Sequence, residues 1–239
     1  MDFKRETFDY FINLIKKGGN FSLSKIGDGE LICIFKSINW LDEKQFGNKN
    51  ADNHQYFNDM GEALHKTFTD EKGYYKYFHP GWMDSTVNRK ELCELFQKYV
   101  KEYDISPPNL YDSRISFYRN AESGDLGPLK EELEKRNFVM VSEYRKQKLP
   151  IKFVDFINAP KTNSWLEKDR IKKDIISMIE KYDSPIFGLS LGMSSVVIID
   201  ELYPIIGDKC TMINFGSMWD PFVNIKCRKY HHKYKTTKL

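Results

Sequence analysis

Segments with the pattern of β-strands alternate with segments with the pattern of α-helices along the second half of the chain, and this alternation most restricts the fold. The strand patterns occupy residues 110–118, 137–142, 151–157, 185–191 and 210–215. The helix patterns occupy residues 127–136, 165–181 and 194–203. Strands that alternate with helices are typical of a mostly parallel sheet covered on both faces. The sequence therefore predicts a Rossmann-like α/β domain.

The N-terminal part of the chain is less regular. Residues 3–17 and 91–103 place apolar side chains at helical spacing. Residues 39–83 contain many Asn, Asp, His and aromatic side chains and few clear periods, which predicts an irregular insertion. We therefore expect one α/β domain over residues 1–225, followed by a basic tail at residues 226–239.

The composition excludes several classes of protein. Hydrophobic residues make up 41% of the 239 residues and charged residues 30%, which excludes wholesale disorder. No segment approaches the roughly 18 apolar residues of a membrane-spanning helix, and the first residues lack a signal-peptide pattern. We therefore expect a cytoplasmic protein. The four cysteines lack CxxC spacing, and a net charge of +3 gives little support for a nucleic-acid partner.

Two carboxylates lie close together after the first strand-like run, at Asp28 and Glu30, in a predicted turn flanked by Gly27 and Gly29. Mg²⁺ and Mn²⁺ in phosphate-transferring enzymes often use only one or two protein carboxylates, because substrate and water complete the coordination shell. A solvated Asp-Gly turn is the competing interpretation. The pair is the candidate metal site.

Further polar residues follow predicted strands, and ligands of such folds sit outside the carboxyl ends of the strands. Gly192 leads from a strand directly into a helix whose first turn could bind an anion, with Ser194 or Ser195 as its cap. Arg114 could form a bidentate contact with a diphosphate, and Glu143 could act as a base or accept from a sugar hydroxyl. The alternatives are an ordinary strand-to-helix turn at Gly192, a surface or structural ion pair for Arg114 and a solvated carboxylate for Glu143.

The segment Lys25-Ile-Gly-Asp-Gly-Glu-Leu31 resembles the GDGE signature of the DUF1792 glycosyltransferases, the group that defined the GT-D type fold. Further blocks of the resemblance follow in the family's order at Arg114 and Tyr118, Glu143 and Arg145, 157–160 with Asn163, 188–192 and 213–216. The resemblance covers roughly residues 20–222 and implies a GT-D type fold. It also implies that Asp28 and Glu30 bind a divalent metal on a nucleotide-sugar diphosphate.

The resemblance implies a metal-dependent glycosyltransferase that moves a sugar from a nucleotide-diphosphate donor, with a UDP-sugar favoured, to a glycan, glycoprotein or other hydroxyl acceptor. The cofactor would be Mn²⁺ or Mg²⁺. Lys25 and Arg114 would add positive charge at the diphosphate, and the turn at Gly192 would contribute backbone donors. Glu143 and Asp220 are the candidates for a general base.

Four positions depart from the family's pattern. Lys25 replaces the usual arginine, and Glu143 stands one residue out of step with its block. The turn after Gly192 lacks the family's proline, and the last block lacks a histidine and places its acid, Asp220, one position later. These departures leave the identity of the donor and the acceptor open.

Two other functional classes stay open on the sequence. One is a nucleotide-sugar pyrophosphohydrolase, and the other is a non-catalytic module that binds nucleotides or polyanions through the basic tail. A homo-oligomer is compatible with either.

A set of aromatic and histidine residues in the predicted insertion could form a wall for a sugar acceptor or simply pack inside the protein: Trp40, His54, Tyr56, His79 and Trp82.

Overall fold

Parallel strands form one sheet in the computed structural model, which describes residues 6–42, 44–50, 52–78, 87–105, 110–112, 117, 119–225 and 231–232. Seven strands belong to the sheet within those residues, in the spatial order β3-β2-β1-β7-β6-β4-β5, and every neighbouring pair is parallel. The strands are β1 Ser22–Ile26, β2 Tyr75–Phe78, β3 Leu110–Asp112, β4 Phe138–Ser142, β5 Asp155–Asn158, β6 Ile186–Ser190 and β7 Thr211–Asn214. The predicted α/β fold with a parallel sheet is confirmed.

Helices cover both faces of the sheet. The α-helices are α1 Phe8–Lys17, α2 Asp28–Ser37, α3 Asn58–Thr69, α4 Val87–Glu102, α5 Arg119–Ser123, α6 Gly127–Glu134, α7 Lys168–Lys181 and α8 Ser194–Ile206. Short 3₁₀ helices span Tyr144–Lys148, Ser164–Glu167 and Asp220–Val223. Buried residues of α1, α5 and α6 pack with one face of the sheet, and those of α2, α3, α4, α7 and α8 form the two clusters on the other face. No helix within the described residues has the length and hydropathy needed to cross a membrane.

Glycine in β6 allows two aromatic rings to meet over the sheet. A β-carbon at Gly188 would lie 2.8 Å from ring carbons of both Phe138 and Phe215, closer than real β-carbons approach their neighbours. Both rings belong to the core cluster on the α1 and α6 side. The glycine therefore fixes the packing between β4, β6 and the end of β7.

The prediction of an irregular insertion near residues 39–83 is wrong for residues 58–69 and 75–78, which form α3 and β2. β2 pairs with β1 over four residues, from Leu23 opposite Tyr75 to Ile26 opposite Phe78. A charged residue, Lys76, interrupts the apolar run of β2 and makes the strand hard to recognise in the sequence. In the structure its ammonium group donates to the carbonyl oxygens of Thr67, at 2.6 Å, and of Asp70. These bonds allow a lysine to be 7% exposed within a strand.

The carboxylates Asp28 and Glu30 lie in the first turn of α2, so the prediction of a separate turn is also wrong. Gly27 is the N-cap residue, and Oε2 of Glu30 accepts from its backbone N–H at 2.9 Å. A glutamate at this position commonly closes a capping box. Leu31 and the four residues after it are all buried, which gives this helix no polar face and conceals its helical period.

Two predicted segments extend beyond what the structure describes. The predicted strand at residues 110–118 contains β3, whereas residues 113–116 and 118 lie outside the described residues. Of the predicted tail at residues 226–239, residues 231 and 232 belong to the described part.

Candidate functional site

The site lies where the order of the strands reverses. From β1 the chain builds outward through β2 and β3, and its last strand β7 returns to the opposite side of β1. Ligands of open parallel sheets bind outside the carboxyl ends of the strands at such a point. The crevice between the ends of β1 and β7 is therefore the candidate site.

Asn214, the last residue of β7, joins the two strand ends. Its Nδ2 donates to the carbonyl oxygen of Lys25 at 3.1 Å, and its Oδ1 accepts from the backbone N–H of Gly216 at 2.9 Å. The side chain thereby holds the turn after β7 against β1. The sequence analysis gave Asn214 no role of its own, although a polar residue that ends a buried strand at the carboxyl edge is a usable signal.

The carboxylates of Asp28 and Glu30 lie at the start of α2, beside this crevice. Besides the bond from Gly27 to Glu30, Oδ1 of Asp28 accepts from the backbone N–H of Gly29 at 3.0 Å. Burial raises the pKa of Glu30, and the negative charge of Asp28 adds to the effect, whereas the charge of Lys25 opposes it. A cation bound between the two carboxylates would favour the ionised form of Glu30.

The donor set fits a hard divalent cation that keeps open coordination positions. Each carboxylate has two oxygens and keeps lone pairs beyond the hydrogen bonds described. No group of three or more His, Cys, Asp and Glu side chains that could hold a metal ion occurs within the described part of the chain. An ion held by Asp28 and Glu30 would therefore take its remaining ligands from substrate and water, as Mg²⁺ commonly does.

The first turn of α2 contacts the side chain of the residue that precedes α8. A β-carbon at Gly29, in the first turn of α2, would lie 3.7 Å from Sδ of Met193, the N-cap residue of α8. The first backbone N–H groups of a helix lack partners within the helix and carry partial positive charge. In α8 the N–H groups of Ser195 and Val196 already donate to carbonyl oxygens of the preceding turn, each at 3.2 Å. The partial positive charge of the helix end remains the feature that would attract an anionic group.

Ser194 and Ser195 do not play the predicted capping role. They are 2% and 0% exposed, and no side chain caps α8. Oγ of Ser195 instead accepts from the backbone N–H of Leu191 at 3.1 Å, which holds the turn from the inside. The prediction that either serine caps the helix is wrong, because Met193 is the N-cap residue and both serines lie within the first turn of α8.

Residues 48–56, here called the 48–56 loop, fold into a tight turn at the same edge, with residue 51 outside the described residues. Its backbone is held by bonds from Asn50 N–H to the His54 carbonyl at 2.9 Å and from Tyr56 N–H to the Asn48 carbonyl at 3.1 Å. Oδ1 of Asn50 also accepts from the backbone N–H groups of Asp52 at 2.9 Å and His54 at 3.0 Å. One asparagine therefore organises the loop.

The 48–56 loop docks against the turns after β5 and β6. Nδ1 of His54 accepts from the backbone N–H of Asn163 at 3.1 Å, and Oδ1 of Asn163 accepts from the backbone N–H of Gln55 at 2.8 Å. The His54 ring is 8% exposed and lies directly against Gly192. His54 thus packs inside the protein, which confirms the packing interpretation for this residue.

Trp40 is also a packing residue. Its ring stacks on Phe35 with centroids 5.8 Å apart, near the end of α2 opposite to Asp28. Tyr56 is partly buried against the same core cluster. His79 and Trp82 lie outside the described residues.

Glu143 and Asp220 are brought close together, each with a cationic partner. Glu143 follows β4, is 7% exposed and accepts from Nε of Arg145 at 2.9 Å. Asp220 forms an ion pair with Lys146, which is 3% exposed. Burial raises the pKa of Asp220, and the charges of Asp52 and Glu143 add to this, whereas Lys146 lowers it.

Lys146 and Asp52 were missed by the sequence analysis. Lys146 belongs to the run Arg145-Lys146-Gln147-Lys148, which has the pattern of a solvated surface segment. Asp52 belongs to the segment that lacked clear periods. Neither residue carries a local signal, because the 3₁₀ helix and the loop that place them are ordered by distant parts of the chain.

Lys25 and Arg114 were the two residues predicted to add positive charge at the diphosphate. Lys25, the fourth residue of β1, is partly buried, and its charge acts on Glu30. Arg114 lies outside the described residues.

Comparison with known proteins identifies the fold. No family model matches the sequence, and no curated protein matches it. Two solved structures are similar: a selenomethionine-substituted structure of the domain of unknown function 1792 (DUF1792), with a TM-score of 0.61, and a structure described as "The highly conserved domain of unknown function 1792 has a distinct glycosyltransferase fold", with a TM-score of 0.60. Each is 13% identical in sequence, and the match covers 91% of this chain and 79% of the other chain. This chain has the DUF1792 fold.

The DUF1792 fold agrees with the expectation from the sequence. The GDGE-like segment that suggested the resemblance lies at the start of α2, beside the point where the strand order of the DUF1792 fold reverses. At 13% identity the likeness concerns the fold.

Proposed function

We propose that this protein is a metal-dependent glycosyltransferase that uses a nucleotide-diphosphate sugar. The observation that carries the proposal is the pair of carboxylates Asp28 and Glu30 in the first turn of α2, where the side chain of Met193, the N-cap residue of α8, packs against Gly29. A diphosphate needs positive potential and a metal ion, and this crevice offers the first and has ligands suited to the second. The glycosyltransferase fold described for a similar structure supports the proposal.

Asp28 and Glu30 would hold Mn²⁺ or Mg²⁺. When bound, the ion supplies neutralisation of the negative charge that develops on the departing nucleoside diphosphate. The capping bond from Gly27 to Glu30 orients that carboxylate before any ligand arrives. Lys25 adds a positive charge beside the pair, and Arg114 is proposed to do the same at the diphosphate.

The acceptor hydroxyl would bind on the side of Asp220 and Glu143. Asp220 is the better candidate for the general base, because a raised pKa makes its carboxylate more basic. Lys146 holds this carboxylate in place, as Arg145 holds the carboxylate of Glu143. Asp220→Asn should lower kcat by about 10²–10⁴-fold, the usual contribution of a general base, with unchanged affinity for the nucleotide.

Calorimetric titration of UDP, GDP, ADP and CMP, with and without Mn²⁺, tests the proposal. We expect one nucleoside diphosphate to bind in the presence of Mn²⁺, and Asp28→Ala to abolish that binding. Asp9→Ala is the matched control, since Asp9 is an exposed acidic residue in the first turn of α1. Absence of binding by all four nucleotides would refute the proposal. Formation of a nucleoside monophosphate and a sugar 1-phosphate from the nucleotide sugar, at the same rate with and without hydroxyl acceptors, would indicate a pyrophosphohydrolase instead.

A further inference from the structure

The turn between β6 and α8 depends on a glycine and on one neighbouring ring. Gly192 has φ of +61°, a left-handed conformation that residues with a β-carbon rarely adopt. A β-carbon at this position would lie 2.8 Å from Nε2, 2.9 Å from Cε1 and 3.0 Å from Cδ2 of His54. The ring therefore lies against the backbone of the turn with no side chain between them.

His54 is itself fixed from the other side. Its Nδ1 accepts from Asn163 N–H, so a neutral ring carries its proton on Nε2, the atom that faces Gly192. The bond between Gln55 and Oδ1 of Asn163 closes a two-bond bridge between the 48–56 loop and the turn after β5. The ring cannot rotate away from Gly192 without losing its hydrogen bond to Asn163.

Asn163 is anchored in turn to the helical layer. It has φ of +56° and is the N-cap residue of the 3₁₀ helix Ser164–Glu167. Trp165 in that helix is 6% exposed, and its Nε1 donates to Oδ2 of Asp59 in α3 at 3.0 Å. A continuous set of contacts therefore runs from α3 through Trp165, Asn163 and His54 to the turn at Gly192.

We propose that His54 is a positioning residue that holds the turn at Gly192, and with it the start of α8, in the shape that binds the donor diphosphate. The inference rests on the proposed function. It adds a residue that touches neither metal nor sugar and acts through the backbone of the turn. Positioning errors of about 1 Å at a reacting centre reduce rates by about 10²-fold, so a fixed turn matters for a binding site at the start of a helix.

A double-mutant cycle tests the inference. The variants are His54→Ala, Gly192→Ala and the double variant, each titrated with UDP, GDP and ADP in the presence of Mn²⁺. We expect each single variant to bind the preferred nucleotide about tenfold more weakly. In the double variant the imidazole ring is gone, so nothing at position 54 collides with the new β-carbon at position 192. The double variant should therefore bind the nucleotide at least about threefold more tightly than the product of the two single losses predicts. A coupling of this size is usual between residues in contact.

Two further variants separate positioning from folding. His54→Asn can present an amide oxygen near the place of Nδ1 and should recover most of the affinity that His54→Ala loses. Asn163→Gly tolerates the positive φ and removes the acceptor for Gln55, so it should fold and bind more weakly than the wild-type protein. Melting temperatures are measured in parallel, since a merely structural role would lower the melting temperature and leave the nucleotide affinity of the folded protein unchanged.

The outcomes distinguish this inference from the proposed function. If the wild-type protein binds no nucleoside diphosphate, the proposed function fails and the inference fails with it. If the wild-type protein binds one and both His54→Ala and Asn163→Gly bind it equally well, the inference alone is overturned. Additive losses in the cycle would also overturn it, because they would show that the ring and the turn act separately.

Discussion

Lys146 and Asp220 form a buried ion pair in which the lysine side chain is 3% exposed and the aspartate side chain 13% exposed. The pair joins the 3₁₀ helix after β4 to the 3₁₀ helix after β7, two strands that have β6 between them in the sheet. It therefore connects the turn that carries Glu143 with the proposed acceptor side of the crevice.

Lys146→Met should destabilise the protein by about 3–5 kcal/mol at neutral pH, because it leaves the Asp220 carboxylate buried without its cation. The pKa of Asp220 is raised above its ordinary value of 3.8, so the folded state takes up a proton more readily than the unfolded state. The penalty should therefore be small below about pH 4 and grow as the pH rises. Denaturant unfolding at a series of pH values measures it. Lys148→Met is the control, because Lys148 is exposed in the same 3₁₀ helix; an equal penalty at every pH would contradict the electrostatic explanation.

Asp52→Asn should move the acid limb of the pH profile of transfer to lower pH. The negative charge of Asp52 raises the pKa of Asp220, while Glu143 acts in the same direction and Lys146 in the opposite one. Removing the charge makes Asp220 easier to ionise, so the base is available at lower pH. The profile of kcat/KM against pH measures this, with Asp42→Asn, an exposed acidic residue before the loop, as the control. A shift to higher pH would show that Asp220 is not the titrating group.

Glu30→Gln should fold normally and lose the stabilisation by metal. Glutamine at this helix position can still accept from the Gly27 N–H. The pKa of Glu30 is raised above 4.5 by burial, so ionisation of this group reduces stability as the pH rises through and above that value. The variant should therefore gain stability relative to the wild-type protein between pH 4 and pH 7.

Mn²⁺ at about 100 times its Kd should stabilise the wild-type protein by about 2.7 kcal/mol and the Glu30→Gln variant by much less. Melting curves with and without Mn²⁺ measure both effects, and equal stabilisation of the two proteins would exclude Glu30 as a ligand.

Gly188→Ala should destabilise the protein by about 1–3 kcal/mol through overpacking between Phe138 and Phe215. Gly19→Ala is the matched control, since no atom lies within 4 Å of a β-carbon placed there. Denaturant midpoints of both variants, compared with the wild-type protein, test the prediction. Equal midpoints would show that the two rings move apart at little cost.

Much of the fold could be predicted where local pattern and tertiary environment agree. The strand predicted at residues 137–142 and the helix predicted at residues 194–203 match β4 and α8, because an apolar run of strand length and a run that continues past Ser194 each leave few alternatives. α3 and β2 were missed. β2 becomes a strand because β1 supplies its partner and because two carbonyl groups bond the ammonium group of Lys76, and no local pattern reports such a partner.

The sequence by itself determined the strand-helix alternation and pointed to Asp28 and Glu30 as a candidate pair, because the two residues follow the first strand and stand two positions apart. Only the tertiary structure decided that these carboxylates start a helix and that Met193, the N-cap residue of α8, packs against Gly29 between them. It also decided that Lys146 reaches Asp220 and that His54 reaches Asn163, 74 and 109 positions away along the chain. Such contacts depend on which strands are neighbours in the sheet, and a parallel sheet sets its neighbours through packing of the whole chain rather than through any short segment.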